Sequence, residues 1–342
     1  MTKVYVGMSG GVDSSLTAAL LVEAGYDVTG VYMKNWTQDM PGMRCPWADD
    51  LADAKRVAVH LGIDFKVFDF ENEYRQKVVD YMIEEYEQGR TPNPDIMCNQ
   101  EIKFKLFLET ALEDGADMVA TGHYAKTENG KLLQAVDDNK DQTYFLYRIT
   151  SEALSKTLFP LGGFTKPEVR RMAEERGLST AAKKDSVGIC FVGQIGMREF
   201  LSQYVTTLPG DIIDRKSGKV IGRHDGAIFY TLGQRHGLNV GGGLPYYVVG
   251  KNMETNTVFV STDLNNESLW RQAVQLQAIH WIGEAPKQVH LQARVRHRAK
   301  LVPCTLDGTM VTFDEAQRAV TPGQSIVLYD GDECVGGGIV TT

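Results

Sequence analysis

Residues 3–15, Lys3-Val4-Tyr5-Val6-Gly7-Met8-Ser9-Gly10-Gly11-Val12-Asp13-Ser14-Ser15, decide the fold. Lys3–Met8 is a short apolar run rich in β formers. Ser14–Ala24 follows with Leu16, Ala19, Leu20 and Glu23 at helical spacing, and Gly25 stands where a helix would end. Between them lies a glycine-rich turn that opens a helix. Glycines let the backbone turn tightly and approach a ligand closely. Hydroxyls and unpaired N–H groups at a helix start then suit an anion. Asp13 beside phosphates makes sense if it meets a metal ion, usually Mg²⁺. An ordinary strand-to-helix turn with an Asp or Ser cap is the alternative, but it explains neither the two glycines nor the paired serines. A Walker loop is excluded, because the Gly-Lys pairs at 130, 218 and 250 precede Leu, Val and Asn. No G-x-G-x-x-G is present, so the dinucleotide fingerprint is absent as well.

Working outward, strand and helix signals keep alternating. Val28–Met33, Asp64–Phe68 and Asp117–Ala120 read as strands. Asp49–Leu61, Glu73–Gln88 and Glu101–Glu113 read as helices closed by Gly62, Gly89 and Gly115. Such alternation predicts an α/β domain, a parallel sheet covered on both faces. After about residue 200 glycine and proline become frequent and helical periodicity fades. Val220–Gly222, Ala227–Tyr230, Tyr246–Val249, Val258–Val260, Val289–Arg298, Thr309–Phe313 and Ser325–Tyr329 read as short strands, with turns at Asp307-Gly308 and Asp330-Gly331. Domains are expected over 1–199, 200–267 and 268–342. The chain's 342 residues exceed the roughly 250–300 that one core usually serves.

There are 36 basic and 44 acidic side chains, a net of −8, and residues 1–95 carry −7 of it. That balance argues against a protein that coats polyanions generally, while leaving room for a local basic patch. No apolar run approaches the ~18–20 residues of a membrane helix. The start, MTKVYVGMSGG, has no secretory apolar core, so a cytoplasmic setting away from membranes is expected. The five cysteines (45, 98, 190, 304, 334) are odd in number and widely spaced, which fits neither a disulfide scaffold nor a zinc site.

Two of those cysteines sit in chemically loaded contexts. Cys98 ends Thr91-Pro92-Asn93-Pro94-Asp95-Ile96-Met97-Cys98, a rigid loop expected to place it at or just before the start of the helix Glu101–Glu113. That position favours thiolate, and Asp95 is an acid or base within reach. The bland alternative makes Asp95 and Asn99 turn and cap residues and Cys98 a small buried hydrophobe. Cys190 follows Lys183-Lys184, which suit a thiolate or a phosphate, yet the stretch Ile189-Cys190-Phe191 also reads as core.

The turn at 9–15 resembles the signature of the PP-loop ATP pyrophosphatases. TPNPDIMCN (91–99), ATGHYA (120–125), KDQTYFLY (140–147) and KKDSVGICFV (183–192) together resemble the bacterial tRNA-specific 2-thiouridylases. MKNW (33–36), LPGDI (208–212), GRHDG (222–226), YTLGQRHGL (230–238) and TPGQ (321–324) fit the same family, so the likeness runs in order along the whole chain. The resemblance implies a PP-loop domain of the adenine nucleotide alpha hydrolase type, then a small mixed domain and a C-terminal β-barrel-like domain. It implies ATP-dependent replacement of O2 of the wobble uridine, position 34 of tRNA, by sulfur. A ring carbonyl oxygen is a poor leaving group, and adenylation turns it into AMP. Loop and Mg²⁺ would stabilise phosphate charge during that step.

By the same resemblance Cys190 carries a persulfide, Cys98 resolves it by forming a disulfide, and Asp95 is the acid or base. Gly7, Met8, Ser9, Gly10, Gly11, Val12, Asp13, Ser14, Met33 and Gly122 would surround ATP. Asn93, Pro94 and Asp95 would meet the target base, splayed from its stack. His123, Lys140, Asp141, Gln142, Arg296, His297 and Gln324 would contact tRNA. His123 also reads as a core or strand-end histidine. The family usually has Arg-Tyr where this chain has Arg296-His297, which removes a stacking tyrosine. A sulfur-carrier protein or cysteine desulfurase would supply the persulfide. Arg294, Arg296, Arg298 and Lys300 recur with a period of two, which on a strand puts all four on one face for RNA phosphates, or else makes a solvated face. Cys45, Cys304 and Cys334 have no assigned chemistry. A rival reading is another PP-loop enzyme that adenylates a small molecule; a second is a nucleotide-sensing RNA binder without catalysis.

Overall fold

The computed structural model describes residues 1–39, 45–184, 196–241, 243–287 and 289–341. Cys190 and the rest of 185–195 lie outside them. The first strands are β1 (Lys3–Gly7), β2 (Asp27–Lys34), β3 (Asp64–Asp69), β4 (Met118–Ala120), β5 (Lys126–Glu128), β6 (Lys131–Leu133) and β7 (Thr157–Leu158). Five of these form a parallel sheet in the order β3-β2-β1-β4-β7, as the alternation predicts. Residues of β1 alternate between its faces. Val4 and Val6 pack with Leu16, Ala54 and Val169 on one side, while Tyr5 packs with Val78, Ile102 and Phe107 on the other. Helices α1 (Val12–Glu23) and α2 (Trp47–Leu61) bring Leu16 and Ala54 to the first side. The chain leaves β1 for β2 on one flank and returns to β4 on the other. The carboxyl ends of β1 and β4 are therefore the topological switch where an open α/β sheet binds ligands.

The helix-ending glycines stand where expected, Gly25, Gly62, Gly89 and Gly115 all having positive φ. One helix departs from expectation. It is continuous over 94–113, starting at Pro94 with Asn93 as its cap, rather than at Glu101. Pro94 suits the first helical position because its missing N–H would be unpaired there anyway. Asn93 Oδ1 accepts the N–H groups of Asp95 and Ile96 at 3.2 and 3.4 Å. Cys98 is therefore one turn inside the helix. From Cys98 to Leu106 the helix is of the π type.

The middle sheet holds β8 (Gly210–Asp214), β9 (Val220–His224), β10 (Tyr247–Asn252) and β11 (Thr257–Ser261) in the order β10-β11-β8-β9. Ala227–Phe229, expected as a strand, is a 3₁₀ turn that buries Ala227 and Ile228. The last strands, β12 (Trp270–Trp281), β13 (His290–Arg294), β14 (Val302–Asp307), β15 (Met310–Arg318), β16 (Ser325–Asp330) and β17 (Glu333–Val340), run in the order β12-β15-β14-β13-β16-β17. Pairing of β12 with β17 closes them into a six-stranded antiparallel barrel around Val274, Leu291, Phe313 and Leu328. The start of β17 also pairs with β6, so the hairpin β5–β6 of the first domain extends the barrel's sheet.

Candidate active site

The loop after β1 is braced from within. Ser9 N–H donates to Ser14 Oγ at 3.1 Å, and Ser14 and Ser15 hydroxyls donate to Gly11 O at 3.2 and 2.8 Å. Gly11 takes the cap position of α1 and no side chain caps it. The first-turn N–H groups, which have no acceptor inside the helix, thus remain available to an anion. Gly10 sits at φ +74°, and a Cβ there would lie 2.3 Å from Asp50 O, so only glycine fits. Gly122, just past β4, presses on the same turn: a Cβ there would lie 2.8 Å from Ser14 N. Met33 closes the floor, its Cε lying 3.0 Å from where a Cβ on Gly7 would be. The residues expected to hold phosphate therefore come together at the sheet's switch point, with first-turn N–H groups of α1 free to meet an anion.

Three residues from outside the loop, Lys166, Tyr124 and Lys183, complete it. Asp13 is ion-paired with Lys166, whose Nζ lies 2.7 and 2.8 Å from its two carboxylate oxygens, and accepts the Tyr124 hydroxyl at 2.9 Å. Lys166 comes from the helix Lys166–Glu175, 153 positions away. Asp13, expected to meet a Mg²⁺ carried by ATP, is held by Lys166 in this structure. Among the described residues no cluster of three His, Cys, Asp or Glu side chains could hold a metal ion. Lys183 reaches the loop from outside, donating to Gly10 O at 3.0 Å and pairing with Asp50 and Asp53. Burial pushes the Asp53 carboxyl up, but Lys183 and Arg56 outweigh it and hold it low.

A second cluster lies beyond Gly122. Asp95 and Cys98 share one helix face, and Thr121 and His123 come from the end of β4. Cys98 is 6% exposed, and burial raises its thiol pKa, contrary to the thiolate expected at a helix start. The opposing influences are Lys103 and a hydrogen bond from Tyr74, while Asp95 adds to the rise. Burial also raises the Asp95 carboxyl, with Lys103 partly offsetting it. His123, expected at the RNA, is 8% exposed and packs against the rings of Phe104 and Phe159, which also touch each other. Its pKa falls well below the ordinary value, through burial and then Lys103, so the ring is neutral. Lys103 Nζ stands 3.4 Å from His123 Nε2, and Thr121 Oγ1 2.7 Å from Nδ1. An ammonium only donates, so Nε2 accepts and Nδ1 carries the proton.

The remaining residues expected to touch tRNA divide into buried and exposed. Asp141 is 1% exposed and accepts from Thr143 Oγ1 at 2.6 Å, Ala135 N–H at 2.8 Å and Arg294 Nη1 at 3.0 Å. Gln142 accepts the Tyr124 N–H at 2.9 Å. Lys140 is partly exposed. His297 packs tilted against Phe145, ring centroids 4.5 Å apart, and Phe145 O accepts from Asn99 Nδ2 of the 94–113 helix at 3.0 Å. Gln324 Nε2 donates to Thr91 O at 2.8 Å, and Thr91 Oγ1 meets Thr231 Oγ1 of the middle domain at 3.2 Å. All three parts of the chain thus meet beside Asn93 and Pro94.

The basic stripe is not a strand face. Strand β13 ends at Arg294, residues 295–300 turn away, and Arg298 adopts φ +62°. Arg294 is buried against Asp141, whereas Arg296, Arg298 and Lys300 are exposed.

Family models match the chain over 2–194 (tRNA methyl transferase HUP domain), 198–262 (tRNA methyl transferase PRC-barrel domain) and 271–340 (aminomethyltransferase beta-barrel domain). The chain is similar to "tRNA-specific 2-thiouridylase MnmA" of Exiguobacterium sibiricum, with 49% identity covering 99% of this chain and 94% of that one. The protein of that name from Enterococcus faecalis is 47% identical, over 99% and 95%. The one from Bacillus cereus (strain ATCC 14579) is 48% identical, over 99% and 94%.

Proposed function

The chain belongs to the tRNA-specific 2-thiouridylase family, and from that premise we propose how its own residues carry out the reaction. It is an enzyme that places sulfur on a tRNA uridine with the use of ATP. We assign the first domain to 1–199, the second to 200–267 and the barrel to 268–342, and the wobble uridine, position 34, as the target. Gly7–Ser14, Met33 and Gly122 hold ATP through the loop's N–H groups, and magnesium arrives as the counter-ion of ATP rather than as a resident ion. Asn93 and Pro94 set the base beside Asp95. Asp95, its carboxyl raised by burial, takes the role of acid or base. Adenylation of O2 releases pyrophosphate and makes AMP the leaving group.

Cys190, outside the described residues, is the proposed sulfur carrier on the family resemblance of its stretch 183–192. Its persulfide exchanges with the Cys98 thiolate, a Cys98–Cys190 disulfide forms, and the released hydrosulfide attacks C2 and expels AMP. A thiol reductant then restores both cysteines. The sulfur comes from a carrier protein or cysteine desulfurase, and the reaction runs in the cytoplasm, where its RNA substrate is found. Lys140, Gln142, Arg296, His297 and Gln324 face the RNA; His123 and Asp141, being buried, act by shaping the wall behind it.

One observation carries the reading: Gly122-His123 joins the phosphate cradle to the Asp95–Cys98 helix face at one end of the sheet. The test uses purified protein, ATP, Mg²⁺, a persulfide donor and unmodified tRNA, with products read by mercury-gel shift. Wild type yields thiolated tRNA and Cys190→Ser yields none. Equal thiolation by both removes Cys190 from the mechanism. Pyrophosphate release that ignores tRNA and follows a metabolite instead favours the small-molecule rival.

A further inference from the structure

The π-helical stretch Cys98–Leu106 changes which side chains share a face. In an α-helix of 3.6 residues per turn, positions five apart point about 140° away from each other. Where hydrogen bonds run from i to i+5 the helix is wider, a turn takes about 4.4 residues, and positions five apart come within about 50° of each other. Lys103 is five residues after Cys98, so this turn carries it onto the face that Asp95 and Cys98 occupy. A hydrogen bond at 3.4 Å ties its ammonium to His123 Nε2, just past β4. Among the described residues Lys103 forms no ion pair, although Lys77 and Lys105 both pair with Glu101.

Among the described residues, few groups act on the Cys98 sulfur. Its own helix supplies Asp95 and Lys103, and the helix Glu71–Tyr74 supplies the Tyr74 hydroxyl. The strand-end residue His123 is neutral and reaches the cluster through Lys103. Lys103 is the one cation of the set, standing against a carboxyl that opposes ionisation and an apolar wall of Phe104 and Phe159.

We propose that Lys103 is a positioning residue for the resolving cysteine: held by the π turn and by His123, its ammonium is the counter-charge against which the Cys98 sulfur becomes a thiolate. This rests on the role given to Cys98 above, yet it is tested without tRNA, ATP or turnover. The full-length protein is pulsed with iodoacetamide from pH 6 to 10, and modification of the Cys98 peptide is followed by mass spectrometry. Lys103→Met slows modification at pH 7.5 by about tenfold or more and moves the midpoint to higher pH, as loss of a close opposite charge requires. Lys103→Arg, which keeps the charge, stays within about threefold of wild type. Should Lys103→Met fail to fold, as judged by circular dichroism, Lys103→Gln takes its place. Identical pH profiles for wild type and the neutral variant overturn the proposal. So does an arginine variant as slow as the methionine one, since Lys103 would then act through shape alone. A normal profile shift in a protein that thiolates no tRNA leaves Lys103 as the counter-charge and refutes only the assigned reaction.

Discussion

The phosphate loop at 9–15 takes its shape mainly from neighbours along the chain, whereas the seam between first domain and barrel takes its shape from residues far apart. Ser9, Gly11, Ser14 and Ser15 brace one another within five positions. Across the seam, Asp141 meets Arg294 over 153 positions and Tyr147 meets Ser325 over 178. A local motif fixes its own geometry and tolerates change around it. A long-range seam fixes geometry only when every partner is in place, and in a dry interior a missing partner is expensive.

The sharpest way to break this contrast is at the seam. Arg294→Met leaves the Asp141 carboxylate buried without its partner, and loss of about 3–5 kcal/mol of stability is expected from urea unfolding. Asp141→Asn with Arg294→Met should recover much of it; a loss under ~1 kcal/mol for the single change would show that the seam is no more demanding than the surface.

Next is Gly10→Ala in the loop. Its Cβ meets Asp50 O and φ is wrong for alanine, so tRNA-dependent pyrophosphate release should fall on the order of a hundredfold. Gly11→Ala, whose Cβ would meet only Ser9 Oγ at 3.5 Å, should retain the fold with a far smaller change in melting temperature. Equal behaviour of the two variants would mean that glycine content, not geometry, is what matters.

A smaller effect is expected at Lys183, half-exposed where it ties Gly10 to α2. Lys183→Met should raise the KM for ATP a few-fold, and under about tenfold, with folding unchanged. No change in KM would show that the loop holds its shape without outside support.

The smallest effect is acid sensitivity at His297. Burial, then Arg298, Arg294 and Lys140, lower its pKa to about 4 from the ordinary 6.5. The unfolded chain therefore binds the proton first. The stability tied to the neutral ring is present above about pH 6.5 and is lost as pH falls towards 4. His297→Phe should narrow the gap between urea midpoints at pH 7.5 and 5.0; an unaltered gap would assign the acid sensitivity to His123, His224 and His280, which are also lowered.

The contrast also explains what could be read from the sequence. The loop was legible because its reasons are contiguous: two glycines, two serines and a strand before a helix. The parallel sheet followed from period and glycine stops. Lys166 gave no sign, because its partner Asp13 is in another helix. Lys103 was hidden because α-helical spacing turns it away from Cys98. The basic stripe misled because a period of two in charge does not keep a strand going. Beyond Arg294 a hydrogen bond from Ala299 N to Arg296 O closes a turn. His123 and Asp141 were placed at the RNA by resemblance, while their burial depends on Phe104, Phe159 and Arg294, which the motifs do not contain.

The pairing of β17 with β6 has a consequence for how the chain can be divided. Leu132 and Leu133 lend their backbone groups to Cys334 and Glu333. A polypeptide severed ahead of the barrel would present that row naked to solvent, a template for any passing extended segment. Limited proteolysis should therefore release no well-behaved amino-terminal piece, and excised versions should clump.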